Sequence, residues 1–240
     1  MPDLRRSLAD PAGKRELNRE LFDHIAGRYG FATRALSFGR DAAWKRELVR
    51  RLPDDEPGLC VDLATGTGDI AVLLGDRYPA ARVLGIDLSD NMLARARGRL
   101  PDARFELVKS DLGELPLDDG CADLVTGGYA LRNAPDLGRA LAETHRVLKP
   151  GGVAFFLDFV QPPPGLRRMI HHALLHAWGG ILGLALHLKP WIYRYIPESL
   201  AGYPDETALR ELLSASGFKI AAQKRHWFGM VERIELERRR

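Results

Sequence analysis

The chain has 240 residues, 45% of them apolar, which is enough for one large domain with a complete core. Its net charge of +3 is too small to indicate a nucleic-acid partner. Two cysteines without metal-ligand spacing, and no secretory segment, are typical of a reduced cytoplasmic protein, so we predict a cytoplasmic location.

The first 50 residues are predicted to be helical. Residues 1–20 are charged and irregular, and we expect a frayed start or a surface helix there. From Glu20 onward, apolar residues at helical spacing predict two helices that flank a loop. Their aromatic side chains, such as Phe22 and Trp44, could form a lid over a ligand or could simply pack in the core.

Residues 51–160 alternate between strand and helix patterns. This alternation dictates a parallel sheet with right-handed crossovers, as in Rossmann-like domains. The predicted strands are residues 59–63, 82–87, 104–109, 122–127 and 152–159, and the predicted helices are residues 69–78, 89–98 and 136–148.

Residues 161–200 break this alternation. After a proline-rich turn, the chain is apolar nearly all round, which predicts a helical insertion interrupted at Gly179-Gly180. Such a segment could cap an apolar pocket or lie on a membrane surface. The pair His172 and His176 has helical metal-ligand spacing, but no carboxylate is near it in sequence, so we predict no metal site.

Residues 201–240 complete the predicted sheet. A helix from Asp205 to Ser216 ends at Gly217, and strands at residues 218–227 and 229–236 form a hairpin that makes the last strand antiparallel. The fold class is therefore α/β, with a seven-stranded, mostly parallel Rossmann-like sheet, an antiparallel last strand and a helical insertion over the pocket.

The loop after the first strand is the main functional signal. The sequence L-C-V-D-L-A-T-G-T-G-D-I-A reads as a strand, a tight glycine turn and a helix start, a combination typical of nucleotide binding at strand ends. It also satisfies the dinucleotide pattern G-x-G-x-x-A. However, Asp62 would repel a pyrophosphate, and no lysine or arginine lies in or near the loop in sequence.

Three acids at successive strand ends favour S-adenosylmethionine over a dinucleotide. Asp62 suits the ammonium of this donor, Asp87 suits its ribose hydroxyls, and Asp111 could meet its adenine amino group. The competing interpretation of Asp87 is that it only caps the helix that starts at Ser89.

A second loop, from Leu124 to Asp136, follows the fourth strand and contains Tyr129, Arg132 and Asn133. An arginine in a glycine-bounded loop is costly to bury without a partner. Arg132 therefore stays in solvent, or forms a salt bridge with Asp136, or organises a substrate oxyanion or a water. We favour the last interpretation because ligands bind at this edge of open sheets.

Together these motifs resemble the ubiquinone/menaquinone biosynthesis C-methyltransferase family, the UbiE-type class I methyltransferases. The resemblance extends from Phe22 to the end of the chain. Its most specific parts are the motifs F-D-H-I-A-x-R-Y, L-S-F-G-R-D-x-x-W-K, D-L-A-T-G-T-G-D, L-R-N-A-P-D, H-R-V-L-K-P-G-G and Y-R-Y-I-P-E-S. The segment His187-Leu188-Lys189-Pro190 and the last strands depart from the family pattern, and both lie around the expected acceptor pocket.

The resemblance implies a site at which S-adenosylmethionine is the cofactor and Arg132, Asn133 and Tyr29 are the catalytic residues. The predicted cofactor-binding residues are Asp62, Ala64, Thr65, Gly66, Thr67, Gly68, Asp87, Leu88, Met92, Asp111, Leu112 and Gly128.

The predicted function is S-adenosylmethionine-dependent C-methylation of a hydroxylated aromatic ring, with a prenylated quinol of ubiquinone or menaquinone biosynthesis as acceptor. Two alternatives remain open: methylation of a polyketide or polyphenol, and cofactor binding without methyl transfer. We expect a small, lipid-soluble acceptor as partner, with no nucleic acid. Peripheral membrane contact and a homodimer are compatible with the sequence.

Overall fold

A computed structural model describes residues 4–100 and 102–239 of the chain. Its seven strands form one sheet in the order β3-β2-β1-β4-β5-β7-β6. Strands β1 to β5 pair in parallel, and β7 is antiparallel to both of its neighbours. The predicted sheet, including its antiparallel last strand, is confirmed. The strands are β1 (Leu59–Leu63), β2 (Arg82–Asp87), β3 (Phe105–Lys109), β4 (Ala122–Gly128), β5 (Leu148–Phe159), β6 (Phe218–His226) and β7 (Val231–Arg238).

Helices pack on both faces of the sheet. They are α1 (Leu4–Ser7), α2 (Pro11–Ile25), α3 (Tyr29–Leu36), α4 (Asp41–Arg50), α5 (Asp69–Arg77), α6 (Asp90–Arg97), α7 (Ala130–Asn133), α8 (Leu137–Val147), α9 (Leu166–His187), α10 (Trp191–Ala201) and α11 (Glu206–Ala215). Because Val61, Val125 and Ala154 in the central strands are fully buried, polar ligands can reach the sheet only at its strand ends.

Of the two structures expected for residues 1–20, a frayed start or a surface helix, the second is observed as helix α2. Pro11 occupies its first turn, and the side chain of Asp10 accepts a hydrogen bond from the Gly13 amide at 2.9 Å. Leu17 and Leu21 are buried on its inner face, which packs against the core. Residues 1–3 of the predicted frayed start lie outside the described residues.

The insertion differs from the prediction in one respect: α9 has no break at Gly179-Gly180. These glycines instead allow α10 to pack closely against α9. A Cβ atom on Gly179 would lie 2.8 Å from the Tyr193 carbonyl oxygen, and one on Gly183 would lie 2.6 Å from the Lys189 carbonyl oxygen. The chain reverses after α9 at Leu188, whose φ of 55° ends the helix.

Candidate active site

The loop after β1 curves tightly because several of its residues adopt left-handed backbone conformations. Ala64, Gly66 and Gly68 have φ values of 50°, 56° and 81°. The Gly68 amide donates to the Thr65 carbonyl oxygen at 2.9 Å and closes the turn. A positive φ at the non-glycine residue Ala64 is the kind of local strain that gathers at ligand sites.

Asp62 is a fully buried carboxylate at the end of β1. Its two oxygens accept hydrogen bonds from the Thr65 and Thr126 hydroxyls at 2.7 and 2.8 Å. Burial raises the pKa of Asp62 to about 6, although both hydrogen bonds oppose the shift. A cationic ligand group beside this carboxylate would therefore be stabilised strongly.

Asp87, at the end of β2, accepts from the Gly66 amide at 2.8 Å and from the Ser89 amide at 2.9 Å. Ser89 itself caps α6, because its hydroxyl oxygen accepts from the Met92 amide at 3.1 Å. Asp87 thus joins the two loops that follow β1 and β2. Burial raises the pKa of Asp87 to about 6, and each carboxylate oxygen keeps a lone pair for a ligand donor.

A cavity of about 560 Å³, including the part open to solvent, lies at these strand ends, and we call it the strand-end cavity. The lining residues are Asn18, Phe22, Tyr29, Ala64, Gly66, Asp87, Leu88, Met92, Ser110, Asp111, Leu112, Gly128, Tyr129, Asn133 and Pro135. A smaller loop cavity adjoins it and adds Asp62, Thr65 and Thr67 to the walls.

Eleven of the twelve predicted cofactor-binding residues line one or both of these cavities. Gly68 lines neither; its φ of 81° favours a glycine at this turn, and a Cβ atom there would also lie 3.3 Å from side-chain atoms of Ala96 and Leu100. Asp111 lines the strand-end cavity, and one of its carboxylate oxygens is paired with Arg15 of α2 at 2.9 Å.

The fold also corrects one sequence argument, because basic side chains from distant segments do reach the glycine loop. Lys45 of α4 lies 2.8 Å from the Asp69 carboxylate, and Arg99 donates to the Thr67 carbonyl oxygen at 2.8 Å. Lys45 is also paired with Asp41 at 2.7 Å. Acids therefore already neutralise these cations, and a preference for a donor without phosphates is still expected.

A second cavity, which we call the apolar cavity, has about 660 Å³ including its open part. Aliphatic and aromatic side chains dominate its walls, and no carboxylate, lysine or histidine of the described residues is among them. The lining residues are Leu21, Phe22, Ile25, Tyr29, Ala32, Thr33, Leu36, Ser37, Trp44, Tyr129, Arg132, Asn133, Phe159, Ile192, Tyr193, Tyr195, Ile196, Trp227 and Val231. Helix α10 contributes to this lining, whereas α9 packs behind α10 and contributes no lining residue.

The two cavities share part of their walls. Phe22, Tyr29, Tyr129 and Asn133 line both of them. Tyr29 also lines the loop cavity, so the predicted catalytic residues Tyr29 and Asn133 stand between the polar and the apolar compartments.

Arg132 is the only charged side chain in the apolar cavity wall among the described residues, and it is 4% exposed. Its Nε lies 3.7 Å from Asp158 Oδ1, and its Nη1 donates to the Ser199 hydroxyl. The partner is thus Asp158 of β5, whereas Asp136, the partner considered from sequence, caps α8 by accepting from the Arg139 amide. Arg132 Nε is buried and makes no hydrogen bond within residues 4–100 and 102–239.

Asn133 is held from three sides. Its amide nitrogen donates to the Tyr129 carbonyl oxygen at 2.8 Å, its amide oxygen accepts from the Tyr195 hydroxyl at 3.0 Å, and its carbonyl oxygen accepts from Asn18 at 2.6 Å. Lys14 similarly donates to the Arg132 carbonyl oxygen at 2.9 Å. Helix α2 therefore closes over the loop after β4 through Lys14 and Asn18.

Sequence reasoning did not single out Asn18 and Asp158, which carry no local signal, and it gave Tyr195 no role although this residue lies in the family motif Y-R-Y-I-P-E-S. Tyr129 did carry a local signal, because it follows two glycines at the end of a strand, but it was not predicted as a site residue. Its φ of 60° and its hydroxyl bond to Asp41 at 2.7 Å fix it between the cavities.

The sheet order, the glycine loop at β1 and the acids at the ends of β1 and β2 define a class I methyltransferase fold. A solved S-adenosylmethionine-dependent methyltransferase of Thermotoga maritima superposes with a TM-score of 0.65 at 18% identity, over 92% of this chain and all of that one.

Sequence comparison gives the family. Residues 12–234 match the ubiE/COQ5 methyltransferase family, and the chain belongs to it. A demethylmenaquinone methyltransferase of Thermus thermophilus is 38% identical over 202 residues, which are 83% of this chain and 92% of that protein. A ubiquinone/menaquinone biosynthesis C-methyltransferase of Desulfotalea psychrophila is 34% identical over 212 residues, 88% and 86% of the two chains. The predicted family and the predicted methyltransferase activity are confirmed.

The family implies S-adenosylmethionine as the methyl donor, and the strand-end residues fit this molecule. Two buried carboxylates with raised pKa values, Asp62 and Asp87, suit a ligand that brings an ammonium, a sulfonium and a ribose diol. The apolar side chains of Leu88, Met92 and Leu112 line the same cavity and suit an adenine ring.

Proposed function

We propose that this enzyme methylates a ring carbon of a prenylated quinol and uses S-adenosylmethionine as donor. The observation that carries the proposal is the wall shared by the two cavities. The strand-end cavity has carboxylates for a cationic donor, the apolar cavity has hydrocarbon surface and one arginine for a lipid-soluble acceptor, and Tyr29 and Asn133 stand where the two ligands would meet.

The donor side is assigned to the strand ends. Asp87 would accept the ribose hydroxyls, Asp62 and the loop cavity would take the ammonium end, and Asp111 would take the adenine amino group. When bound, the donor supplies an electrophilic methyl group on a sulfonium. Holding both ligands at one shared wall supplies orientation, which is a large part of the rate in a two-substrate transfer.

The acceptor side is assigned to Arg132. A quinol ring carbon becomes nucleophilic when a neighbouring hydroxyl ionises, and the Arg132 guanidinium in an apolar wall would stabilise that phenolate. Asn133 and Tyr29 would orient the ring or a water beside it.

The acceptor assignment predicts a dependence on redox state. Purified enzyme with methyl-labelled S-adenosylmethionine is incubated with a prenylated naphthoquinol, with its oxidised quinone and with the unprenylated quinol. We expect a C-methylated product from the prenylated quinol only, or with clear preference, because the quinone has no hydroxyl to ionise. An O-methylated product, or preference for a polyphenol, would favour a natural-product methyltransferase, and donor binding without any transfer would contradict the proposal.

We further propose that the enzyme works at the cytoplasmic surface of a membrane. Within the described residues, α9 is the one helix long and apolar enough to cross a membrane by length and composition, and 33% of its most apolar stretch is buried. Its exposed apolar stripe includes Leu166, Ile170, Leu174 and Ile181. A prenylated acceptor partitions into lipid, so membrane contact beside α10 would shorten its path to the apolar cavity.

A further inference from the structure

The apolar cavity needs an exit for protons, and its walls contain few groups that can supply one. Transfer of a methyl cation equivalent to a neutral quinol ring releases one proton overall. Arg132 cannot accept a proton, because its guanidinium remains charged. Tyrosine hydroxyls are the other titratable groups in the lining: Tyr29, Tyr129, Tyr193 and Tyr195.

Two of these hydroxyls are already committed to internal partners. Tyr195 donates to Asn133 and Asn18, neither of which can carry a proton away. Tyr129 donates to Asp41, whose carboxylate is buried and paired with Lys45 at 2.7 Å, so its partners are internal as well. No hydrogen bond from the Tyr29 hydroxyl is present within residues 4–100 and 102–239.

Tyr193 is different, because its hydroxyl lies 3.0 Å from the Nε2 atom of His187. Tyr193 is 3% exposed and lines the apolar cavity, whereas His187 is only half-buried at the end of α9. The pair therefore connects the inside of the cavity to the surface. The turn between α9 and α10 fixes this spacing: the Lys189 amide donates to the Gly183 carbonyl oxygen at 3.0 Å.

We propose that Tyr193 and His187 form the proton exit of the acceptor site, an inference that rests on the proposed function. As the acceptor's O–H bond breaks, its electron pair stays on the phenolate oxygen and its proton moves to the Tyr193 oxygen. The proton of Tyr193 passes at the same time to His187 Nε2. His187 then releases a proton from Nδ1 to solvent, and exchange of its remaining ring proton with solvent restores the Nδ1–H tautomer, whose Nε2 can accept again. The proton on the methylated ring carbon moves to the phenolate oxygen, so one proton in total leaves the site.

The charges around His187 support this direction of transfer. Burial lowers the pKa of His187, and His24, Arg28 and Lys189 lower it further because each would repel an imidazolium. His24 packs against it with ring centroids 5.5 Å apart, and Arg28 donates to the Leu186 carbonyl oxygen nearby. His187 is therefore neutral at pH 7 and ready to accept, and the same cations favour rapid loss of the proton afterwards.

The test compares His187→Ala and Tyr193→Phe with wild type, and it measures kcat against pH at saturating S-adenosylmethionine with a prenylated naphthoquinol. Wild-type kcat should fall on an acidic limb that lies below pH 6.5, about the ordinary pKa of histidine, because the pKa of His187 is lowered from that value. His187→Ala should lose this acidic limb and about 10²-fold in kcat at pH 7.5, the lower range for general acid–base catalysis. Added imidazole should restore part of the activity of His187→Ala but none of that of Tyr193→Phe.

Two further measurements separate proton transfer from a structural role. Affinity for S-adenosylmethionine and melting temperature should stay near wild type in Tyr193→Phe, which keeps the ring. His176→Ala is the matched control, since His176 lies on the same helix and faces Glu198 at 3.7 Å; its pH profile should be that of wild type.

Each outcome decides the inference. Wild-type kcat and an unchanged acidic limb in folded His187→Ala or in Tyr193→Phe would overturn the proton exit while leaving the proposed function in place. Absence of any transfer by the wild type would overturn the proposed function and the proton exit with it. If His187→Ala does not fold, kcat and its pH profile in Tyr193→Phe alone decide whether the proton exit is correct.

Discussion

The strand-end cavity and the apolar cavity share a wall but are built in opposite ways. The first is made from short loops that each follow a strand, so its polar groups are fixed by backbone hydrogen bonds such as those to Asp87. The second is assembled from side chains of many separate elements, from Leu21 in α2 to Val231 in β7. The loops after the strands thus supply the polar groups of the strand-end cavity, whereas the apolar cavity combines the added helices with residues of β5 and β7.

The two cavities also differ in charge. Buried carboxylates at the strand ends favour a cation, while Arg132 in the apolar wall favours an anion. Under the proposed function, this division would suit a sulfonium donor at the strand ends and a phenolate acceptor beside Arg132. Substitutions that remove one charge should thus affect one ligand much more than the other, and the predictions below use this contrast.

The largest effect is expected for Arg132→Ala. Removing a buried cation leaves Asp158 without its partner, which should lower the free energy of unfolding by about 3–5 kcal/mol. If Arg132 also stabilises a phenolate, kcat should fall by roughly 10²–10³-fold. Thermal melts should be combined with kcat measured well below the melting temperature of the variant, and affinity for S-adenosylmethionine should stay near wild type.

Arg132→Lys is the matched control, since it keeps the charge beside Asp158 but lacks the planar fork. It should recover most of the stability and only part of the rate. If activity and donor affinity instead fall in proportion to the loss of folded protein in Arg132→Ala, the residue is part of the scaffold and has no role in catalysis.

Asp87→Ala should have the next largest effect, and it should fall on the donor. Loss of two hydrogen bonds to a charged acceptor, at about 1.5–3 kcal/mol each, would weaken S-adenosylmethionine binding by at least about 100-fold. Calorimetry measures the affinity for S-adenosylmethionine. Fluorescence quenching of Trp44 and Trp227 in the apolar cavity measures quinol binding, which should be unaffected. Unchanged donor affinity would mean that Asp87 only joins the two loops.

The difference in construction also explains how much could be predicted from the sequence. The glycine turn and the acids at the ends of β1, β2 and β3 are local signals. Eleven of the twelve predicted cofactor-binding residues line the strand-end cavity or the loop cavity. Gly68, the twelfth, lines neither cavity; its φ of 81° serves the turn that leads into α5.

The acceptor side was less predictable because its contacts join residues far apart in sequence. Arg132, singled out by its position after β4, lies in the wall of the apolar cavity, but its partner Asp158 is contributed by another strand. Likewise, Gly179-Gly180 reads locally as a helix break, and only the packing of α10 against α9 gives these glycines a different purpose.

Asp62→Asn should stabilise the protein while weakening donor binding. Both partners of Asp62 are hydroxyls, which can rotate to accept from an amide as well as donate to it. The folded pKa of about 6 lies above the unfolded value of about 3.9, so the charged carboxylate destabilises the fold as pH rises through 6. The free energy of unfolding should increase by about 1–3 kcal/mol above pH 6.

The gain from Asp62→Asn should disappear below about pH 4, where the wild-type carboxyl is protonated in both the folded and the unfolded state. Denaturant titrations at pH 4 and pH 8 test this. Asp87→Asn is the contrasting control, because both partners of Asp87 are amide donors and would oppose an amide nitrogen. Equal stability of wild type and Asp62→Asn at pH 8 would contradict a raised pKa.

The smallest effect on stability is expected on the outer face of α9. Leu174 and Ile181 are 56% and 58% exposed, so Leu174→Gln with Ile181→Gln should change the free energy of unfolding by no more than about 0.5 kcal/mol. Binding to vesicles that contain anionic lipid should nevertheless drop clearly, since these side chains would lie in the lipid boundary and Arg167 and Arg168 would face the headgroups.

Methionine at the same two positions is the matched control, because it keeps the face apolar and should keep vesicle binding. The contrast between the cavities gives a further readout. Activity of the double glutamine variant should fall on a prenylated quinol presented in vesicles, while its affinity for S-adenosylmethionine and its rate on a detergent-dispersed quinol should match wild type. Wild-type protein that stays free of vesicles at low salt, with or without quinol in the bilayer, would remove membrane contact from the proposed function and leave the apolar cavity to take its acceptor from solution.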